Sequence, residues 1–441
     1  MIRRPPGGWL PAALILLLIL VAVHGIYRKN LETSRLTFQA RANLTLARSE
    51  KPFTEAVAEF RGTIPPLYAS LLFAGGRLGI PPGWINELLL LLGLAALFLF
   101  SLREQSVIHP ALPVALYGIT HAAYAFGKIL VSETLFITLA LCILLVLRRT
   151  LQTDATAWLV LLTLLCAAHF LTRYIGVFWL GPVVGLHLLL REGPLRRRIL
   201  RTAAFSLAAL APLTAWVIRT YMKTGTLTGM DRFSDQRFRA GHARWEEMTD
   251  LPHNLWFTIK TFIMDLFSPT RTAYHFEVEK PFSAGLLEVL GLLLAAGAVI
   301  ALVWMERRRT REQDESNAEK TCPGVASAAD SFKVRLLALH RRSATFLIVE
   351  FIGAFLLALM VLWTVGNNDP IYTRFLLPTY ALIILLLVQL LDGAVRRGVP
   401  LPAQALLVGL LVVLATAQGI KTVRPPLDPD TRQSRGSSIN R

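Results

Sequence analysis

Residues 84–102 read WINELLLLLGLAALFLFSL, a run long and apolar enough to cross a membrane as a helix. Similar runs recur along the chain, in which 54% of the residues are hydrophobic and the mean hydropathy is +0.51. Backbone polar groups cannot bond water inside a bilayer, so such runs have to be helical. The sequence therefore predicts an all-α polytopic membrane protein with about eleven transmembrane helices. The predicted spans are 9–26, 84–102, 109–126, 129–147, 157–171, 174–190, 202–220, 284–305, 345–365, 375–391 and 401–419.

The positive charge of the chain, +17 in total, lies mostly on one side of the predicted spans. Such an excess of arginine marks the cytoplasmic side of membrane proteins. We therefore expect a cytoplasmic N-terminus and residence in the cell inner (cytoplasmic) membrane. A charge pattern that follows the spans also argues against nucleic acid as a partner. The flanking arginines include Arg3, Arg4, Arg103, Arg148, Arg149, Arg191, Arg196, Arg197, Arg198, Arg201, Arg307, Arg308, Arg309, Arg311, Arg396 and Arg397.

Two long polar segments, 27–66 and 221–283, separate spans on the predicted outer side. A channel or carrier rarely needs such loops, and they favour a catalyst with a pocket at the membrane surface. We predict that 27–66 forms short surface helices packed against the second loop, because its apolar residues recur at helical spacing. The predicted segments are a first span (1–26), a first extracytoplasmic loop with interfacial helices (27–83), spans two to seven (84–220), a second extracytoplasmic loop (221–283), span eight (284–305), a cytoplasmic linker (306–344), spans nine to eleven (345–419) and a disordered tail (420–441).

Single cations stand at the outer ends of four predicted spans, where arginine and lysine should be scarce. They are Lys128, Arg173, Arg219 and Arg374. A lone arginine at a helix end commonly anchors the helix at the lipid headgroups. Four at one depth, with few carboxylates nearby, instead favour a shared site for an anion such as a phosphate. Arg374 is expected nearest to that anion, because it precedes the amino-terminal amides of span ten.

Glu133 is a carboxylate about one turn inside the fourth predicted span. Lys128 stands one turn earlier, close enough along the helix to pair with it. Two interpretations remain open. In the first, Glu133 forms a structural ion pair or a helix contact. In the second, it orients a cation of the anion site or touches the substrate.

Five short motifs occur in order along the predicted spans and loops. They are Ile64-Pro65-Pro66-Leu67-Tyr68, Ser132-Glu133-Thr134-Leu135-Phe136, Leu171-Thr172-Arg173-Tyr174, Ala211-Pro212-Leu213 followed by Trp216 and Arg219, and Arg374-Phe375-Leu376-Leu377-Pro378. In this order and on this topology, they resemble motifs of the polytopic glycosyltransferases of the GT-C superfamily. The resemblance is to bacterial relatives of protein mannosyltransferases and of the aminoarabinose transferase that modifies lipid A, and it covers about residues 9–390.

The resemblance implies a GT-C fold with two large extracytoplasmic loops, and an enzyme that moves a sugar from a polyprenyl-phosphate carrier. The acceptor would be a hydroxyl of a lipid, a glycan or a protein at the outer face of the membrane. A departing phosphate needs positive charge, and an acceptor hydroxyl needs a base. No cofactor is implied. Some relatives use a divalent ion, but the first loop has no Asp-containing pair, which argues against a metal here. By this resemblance Lys128, Arg173, Arg219 and Arg374 hold the phosphate, and Glu133, Tyr68 and Asp369 orient the substrate.

The catalytic base is not assigned by the resemblance. The family's acidic residue in the first loop aligns near Gln39, which cannot act as a base but could orient one. Glu32, Glu55 and Glu59 in the same loop therefore remain candidates for the base. Thr63 and Ile64 replace the Glu-Lys pair of the lipid A branch, so the chain departs from that branch.

Two other functions remain open at this stage. Because of Gln39, the chain could be a catalytically inactive GT-C-like protein that binds lipid-linked glycans. It could also be a transporter or flippase of a lipid-linked anion. A transporter should contain internal repeats with broken helices near the midplane, and we find no convincing repeat of this kind.

Overall fold

The structure is a computed structural model that describes residues 9–31, 44–56 (without 47 and 54), 65–120, 123, 132–225 (without 154 and 192), 227, 293, 344–366 and 378–423. These residues form helices and turns, and no strand occurs among them. The helices are α1 (Trp9–Leu31), α2 (Leu67–Arg77), α3 (Pro82–Glu104), α4 (Ala111–Gly118), α5 (Glu133–Gln152), α6 (Thr156–Phe170), α7 (Ile175–Leu189), α8 (Leu195–Thr224), α9 (Ala344–Gly366), α10 (Pro378–Arg396) and α11 (Leu401–Val423).

Several of these helices are long and apolar enough to cross a membrane, as the sequence predicts. Within the described residues, five meet both criteria: Pro82–Glu104, Glu133–Gln152, Leu195–Thr224, Thr379–Arg396 and Leu401–Gln418. Shorter apolar helices occur at Ala13–Tyr27, Thr156–Phe170, Ile175–Leu189 and Ala344–Leu359. The chain is thus an all-helical membrane protein over the part described. The count of eleven spans and the GT-C type remain predictions.

The third predicted span, 109–126, is not one continuous helix. Its helix α4 ends at Gly118, and residues 119 and 120 form a turn. The Thr120 hydroxyl donates to the Tyr117 carbonyl at 2.7 Å, and the Ala123 N–H bonds back to Thr120 at 3.1 Å. A threonine side chain that bonds the nearby backbone competes with the helical ladder. Eight residues are too few to cross a bilayer.

The helices pack around one large apolar core. Helix α3 packs along α5, α5 along α6, and α6 along α8, while α9 lies between α7 and α10. Polar contacts fix part of this arrangement. The Trp179 indole of α7 donates to the Phe351 carbonyl of α9 at 2.7 Å, and His187 Nε2 lies 2.6 Å from Glu350 Oε2. Buried polar groups need such partners, so they specify which helices become neighbours.

One end of the bundle, which we term the basic end, collects the carboxyl ends of α3, α5 and α10 and the amino end of α8. Arg148 of α5 donates to Glu104 of α3 at 2.8 Å. Asp392 of α10 accepts backbone N–H groups of residues 106, 107 and 108. Arg191 donates to the Thr153 carbonyl at 2.6 Å. The amino ends of α3 and α5 therefore lie at the opposite end, which we term the site end.

Parts of the first loop pack on α2 near the site end. Residues 44–46 and parts of 53–56 are helical, and Leu46 and Ala56 form a small buried cluster with Ala69 and Phe73. The Phe53 and Phe73 rings lie 5.4 Å apart, and Arg77 donates to the Glu50 carbonyl at 2.7 Å. The predicted packing against the second loop lies outside the described residues. So do all of span eight (284–305) except residue 293, most of the linker (306–344) and most of the tail (420–441).

Candidate functional site

A buried ion pair joins two of the sequence motifs at the site end. Arg173 Nη1 lies 2.7 Å from Glu133 Oε1, with the Glu133 side chain fully buried and that of Arg173 17% exposed. Glu133 opens α5, where the helix dipole favours a carboxylate. Arg173 lies in the turn between α6 and α7, whose amides bond to the His169 carbonyl. A buried carboxylate is costly unless paired, so this contact constrains both elements.

The partner of Glu133 is therefore on another element of the fold. The sequence predicted Lys128 as that partner from its position along the chain, and Lys128 lies outside the described residues. Of the two interpretations of Glu133, an interhelical ion pair is present. An ion pair is equally compatible with the second interpretation, because Glu133 then orients the Arg173 guanidinium.

Helix α2 brings Tyr68 to the same region. The Leu67 N–H donates to the Leu171 carbonyl at 3.0 Å, which ties the start of α2 to the turn that carries Arg173. The Tyr68 hydroxyl donates to Asn86 Oδ1 of α3 at 2.7 Å. Burial raises the pKa of Tyr68 well above its usual range, and the Glu133 charge adds a smaller increase. Tyr68 is thus a neutral hydrogen-bond donor at any ordinary pH.

A second buried carboxylate, Glu87, was missed by the sequence analysis. It is 5% exposed on α3, and its Oε1 contacts Nδ1 of His24 on α1. Tyr27, one turn after His24, donates to the Gly83 carbonyl at 3.1 Å. The signal was present in the sequence, because Glu87 interrupts an otherwise apolar predicted span. Ionisable residues in such positions are costly and commonly functional.

Helix α8 contributes an aromatic residue and a cation. The Arg219 guanidinium lies 4.7 Å from the Trp216 ring centroid, a cation–π contact. The Trp216 indole also approaches the Tyr174 phenol, which neighbours Arg173. Neither Trp216 Nε1 nor Tyr174 Oη has a hydrogen-bond partner within the described residues, so we regard the approach as close but not as a hydrogen bond.

The site end therefore holds buried polar atoms that lack partners in the part of the chain that is described. They include Ser132 Oγ, Tyr174 Oη and Trp216 Nε1. Each can donate a hydrogen bond, and each is adjacent to Glu133, Arg173 or Arg219 along the chain or the helix. Burying a donor without an acceptor is unfavourable, so these atoms have the capacity to bind water or an anionic ligand.

His169 is a further buried polar group, one turn before Arg173. It is fully buried, its ring stacks on Phe136 with centroids 4.1 Å apart, and neither ring nitrogen has a hydrogen-bond partner within the described residues. It also lies close to the backbone of α7 at Gly176. A Cβ built at Gly176 would lie 2.5 Å from His169 Nδ1.

We predict that Gly176→Ala destabilises the protein, because the added methyl group overlaps a ring that Phe136 and Trp179 hold in place. Overpacking of this kind costs about 1–3 kcal/mol. The measurement is the unfolding midpoint of the purified protein in detergent. Gly181→Ala is the matched control on the same helix, since its Cβ would find ordinary contact with Phe170 at 3.7 Å. Equal destabilisation by both variants would contradict the prediction.

The structure brings together Tyr68, Glu133 and Arg173. The Arg219 guanidinium contacts the ring of Trp216, which approaches Tyr174. Glu55, a candidate base, is exposed beside the buried Ala56. No group of three His, Cys, Asp or Glu side chains suited to a metal occurs among the described residues. The other predicted site residues lie outside the described residues, namely Glu32, Gln39, Glu59, Lys128, Asp369 and Arg374.

Comparison with known proteins adds no family assignment. No family model matches the chain, and no curated protein matches it significantly. The class of protein that the fold and the site define is therefore a helical membrane protein with a buried polar site at one end of its bundle.

Proposed function

We propose that this protein is a membrane glycosyltransferase of GT-C type. It moves a sugar from a polyprenyl-phosphate carrier to a hydroxyl of a lipid, glycan or protein at the outer face of the membrane. The observation that carries the proposal is the Glu133–Arg173 ion pair at 2.7 Å, which joins two of the five motifs at the site end. The Leu67–Leu171 hydrogen bond ties a third motif to them.

The chemistry needs a cation held in a fixed direction. The bond between the anomeric carbon and the phosphate oxygen breaks, and the carrier phosphate leaves with the bonding electrons. Arginine suits this role because its planar guanidinium donates several parallel hydrogen bonds to phosphate oxygens. Glu133 positions the Arg173 guanidinium, and further buried donors are supplied by Ser132, Tyr174 and Trp216. Lys128, Arg219 and Arg374 complete the proposed phosphate site.

The acceptor oxygen forms the new glycosidic bond, and its proton passes to a base. Glu32, Glu55 and Glu59 are the loop candidates for this base, and Gln39 would orient it. The His24–Glu87 pair is a further candidate that the structure contributes. Its histidine side chain is 51% exposed, so it can reach a substrate, while the buried carboxylate orients the ring.

The test is release of free polyprenyl phosphate from a glycosylated carrier, measured in liposomes that contain the purified protein. Arg173→Gln should lower the rate roughly 10- to 150-fold, because it removes a charge-assisted contact of about 1.5–3 kcal/mol. Arg148→Gln is the matched control. It removes an arginine from another interhelical Glu–Arg pair, but that pair lies at the basic end.

The control separates catalysis from stability. Arg148→Gln should unfold more easily than the wild type and retain its turnover. Equal loss of turnover in both variants would argue that Arg173 acts only through the fold. Carrier binding without release would instead favour an inactive binding protein, and carrier movement across the bilayer without release would favour a flippase.

A further inference from the structure

An arginine-lined cavity lies at the basic end, on the far side of the bundle from the proposed active site. It has a volume of about 210 Å³ and is formed where α6, α7 and α8 meet. Four arginines line it, Arg191, Arg197, Arg198 and Arg201, beside Leu159 and Leu188. A second cavity of about 440 Å³ adjoins it and shares Leu159, Arg197 and Arg201. The two cavities thus form one depression with a charged part and an apolar part.

The backbone holds two of these arginines in place. Arg191 Nη2 donates to the Thr153 carbonyl at 2.6 Å, and Arg198 Nη1 donates to the Leu189 carbonyl at 3.0 Å. A backbone carbonyl has no net charge, so it orients the Arg198 guanidinium without neutralising it. Arg198 Nε is moreover buried without a hydrogen-bond partner within the described residues. A charged donor that is buried without an acceptor favours binding of an anionic acceptor.

The charge balance of the region is strongly positive. Arg196 joins the four arginines through the second cavity, so five guanidinium groups surround the depression. Neither cavity has an acidic side chain in its described lining. The positive-inside pattern accounts for arginines at this end, but it does not require that they line a cavity.

The apolar part has the properties of an acyl-chain groove. Its wall consists largely of Leu159, Pro194, Leu200 and Ala204. The apolar face continues along α8, where Leu200 and Leu207, two turns apart, are 59% and 74% exposed. Exposed apolar side chains on a membrane helix contact the acyl chains of lipids.

We propose that this depression binds one anionic phospholipid, with the phosphate headgroup in the smaller cavity and an acyl chain in the larger one. Basic pockets between membrane helices at a headgroup level recognise such lipids through charge. Arginine contributes forked hydrogen bonds to the phosphate oxygens. The site is separate from the proposed active site and does not depend on the transferase proposal.

The experiment is a lipid titration of the delipidated protein in neutral detergent, followed by native mass spectrometry. The wild type should bind one phosphatidylglycerol at concentrations where phosphatidylcholine does not bind. The triple variant Arg197→Gln, Arg198→Gln and Arg201→Gln should weaken phosphatidylglycerol binding roughly tenfold or more. The matched control, Arg103→Gln, Arg396→Gln and Arg397→Gln, removes three arginines from the same end outside both cavities and should retain the lipid.

A second variant preserves every charge. Leu159→Trp fills the wall that the two cavities share and should release the lipid as the triple variant does, with the unfolding midpoint of the lipid-free protein confirming that it folds. If the cavity variant and the control variant lost phosphatidylglycerol binding equally, the proposal would be overturned in favour of an effect of general surface charge. Complete displacement of phosphatidylglycerol by glycerol phosphate would overturn it in favour of a site for a free anion.

Discussion

Replacing Glu133 with alanine should destabilise the protein by about 3–5 kcal/mol, the usual cost of removing one partner from a buried ion pair. Arg173 would keep its charge at the same place without the carboxylate that lies 2.7 Å away. The measurement is the free energy of unfolding in mixed detergent and denaturant. The double variant Glu133→Ala, Arg173→Ala should recover part of the loss, because Arg173 then leaves no buried charge without its carboxylate.

The less buried pair at the basic end provides the comparison. Glu104 and Arg148 are 11% and 12% exposed, and Glu133 is fully buried, so Glu104→Ala should cost less than Glu133→Ala. A double variant no more stable than Glu133→Ala alone would contradict the interpretation of Glu133–Arg173 as a coupled pair.

Asp392→Ala should have a comparably large effect at the opposite end of the bundle. The Asp392 carboxylate is 2% exposed and accepts backbone N–H groups from Ser106 at 3.1 Å, Val107 at 2.7 Å and Ile108 at 2.8 Å. Each charge-assisted hydrogen bond contributes about 1.5–3 kcal/mol, and the turn recovers part of this by bonding water. We expect a net loss of about 3 kcal/mol or more in the free energy of unfolding.

Hydrogen exchange locates this effect. The amides of residues 106–108 should exchange faster in Asp392→Ala than in the wild type, with the amides of α5 as internal reference. The exchange rates of these amides in Asp392→Asn should lie between those of the wild type and those of Asp392→Ala. The asparagine amide keeps one acceptor oxygen but turns its N–H₂ group towards other donors. Unchanged protection at 106–108 would show that the carboxylate does not hold this turn.

The positions of the helices follow closely from the sequence. The predicted span 84–102 corresponds to Pro82–Glu104, and 401–419 corresponds to Leu401–Val423. Agreement is good because apolar length and hydrogen bonding within the segment decide the helix, and both are local properties. The largest extension is at α8, predicted as 202–220 and observed as Leu195–Thr224, because its amino-terminal arginines continue the helix beyond the apolar run.

The partners of the polar groups could not be predicted in the same way. Local spacing suggested Lys128 for Glu133, and Lys128 lies outside the described residues. It gave no indication of Arg173, which the structure places 2.7 Å from Glu133 from a turn forty residues away. Glu87 was passed over within an apolar span, although His24 of the first helix contacts it. Such contacts depend on which helices pack side by side, and a hydropathy pattern does not encode that choice.

The sequence by itself determined the class of this protein, since only helices satisfy the backbone of long apolar segments in a membrane. It also indicated the end of the bundle at which Tyr68, Glu133 and Arg173 lie, through short motifs in order. The tertiary structure alone decided that these residues converge, and that Ser132, Tyr174 and Trp216 retain unused donors among the described residues. It also decided that arginines of α8 and of the turn before it line a cavity at the basic end. The physical reason is that burying a charge or a hydrogen-bond donor is acceptable only with a partner, and packing decides which partner is within reach.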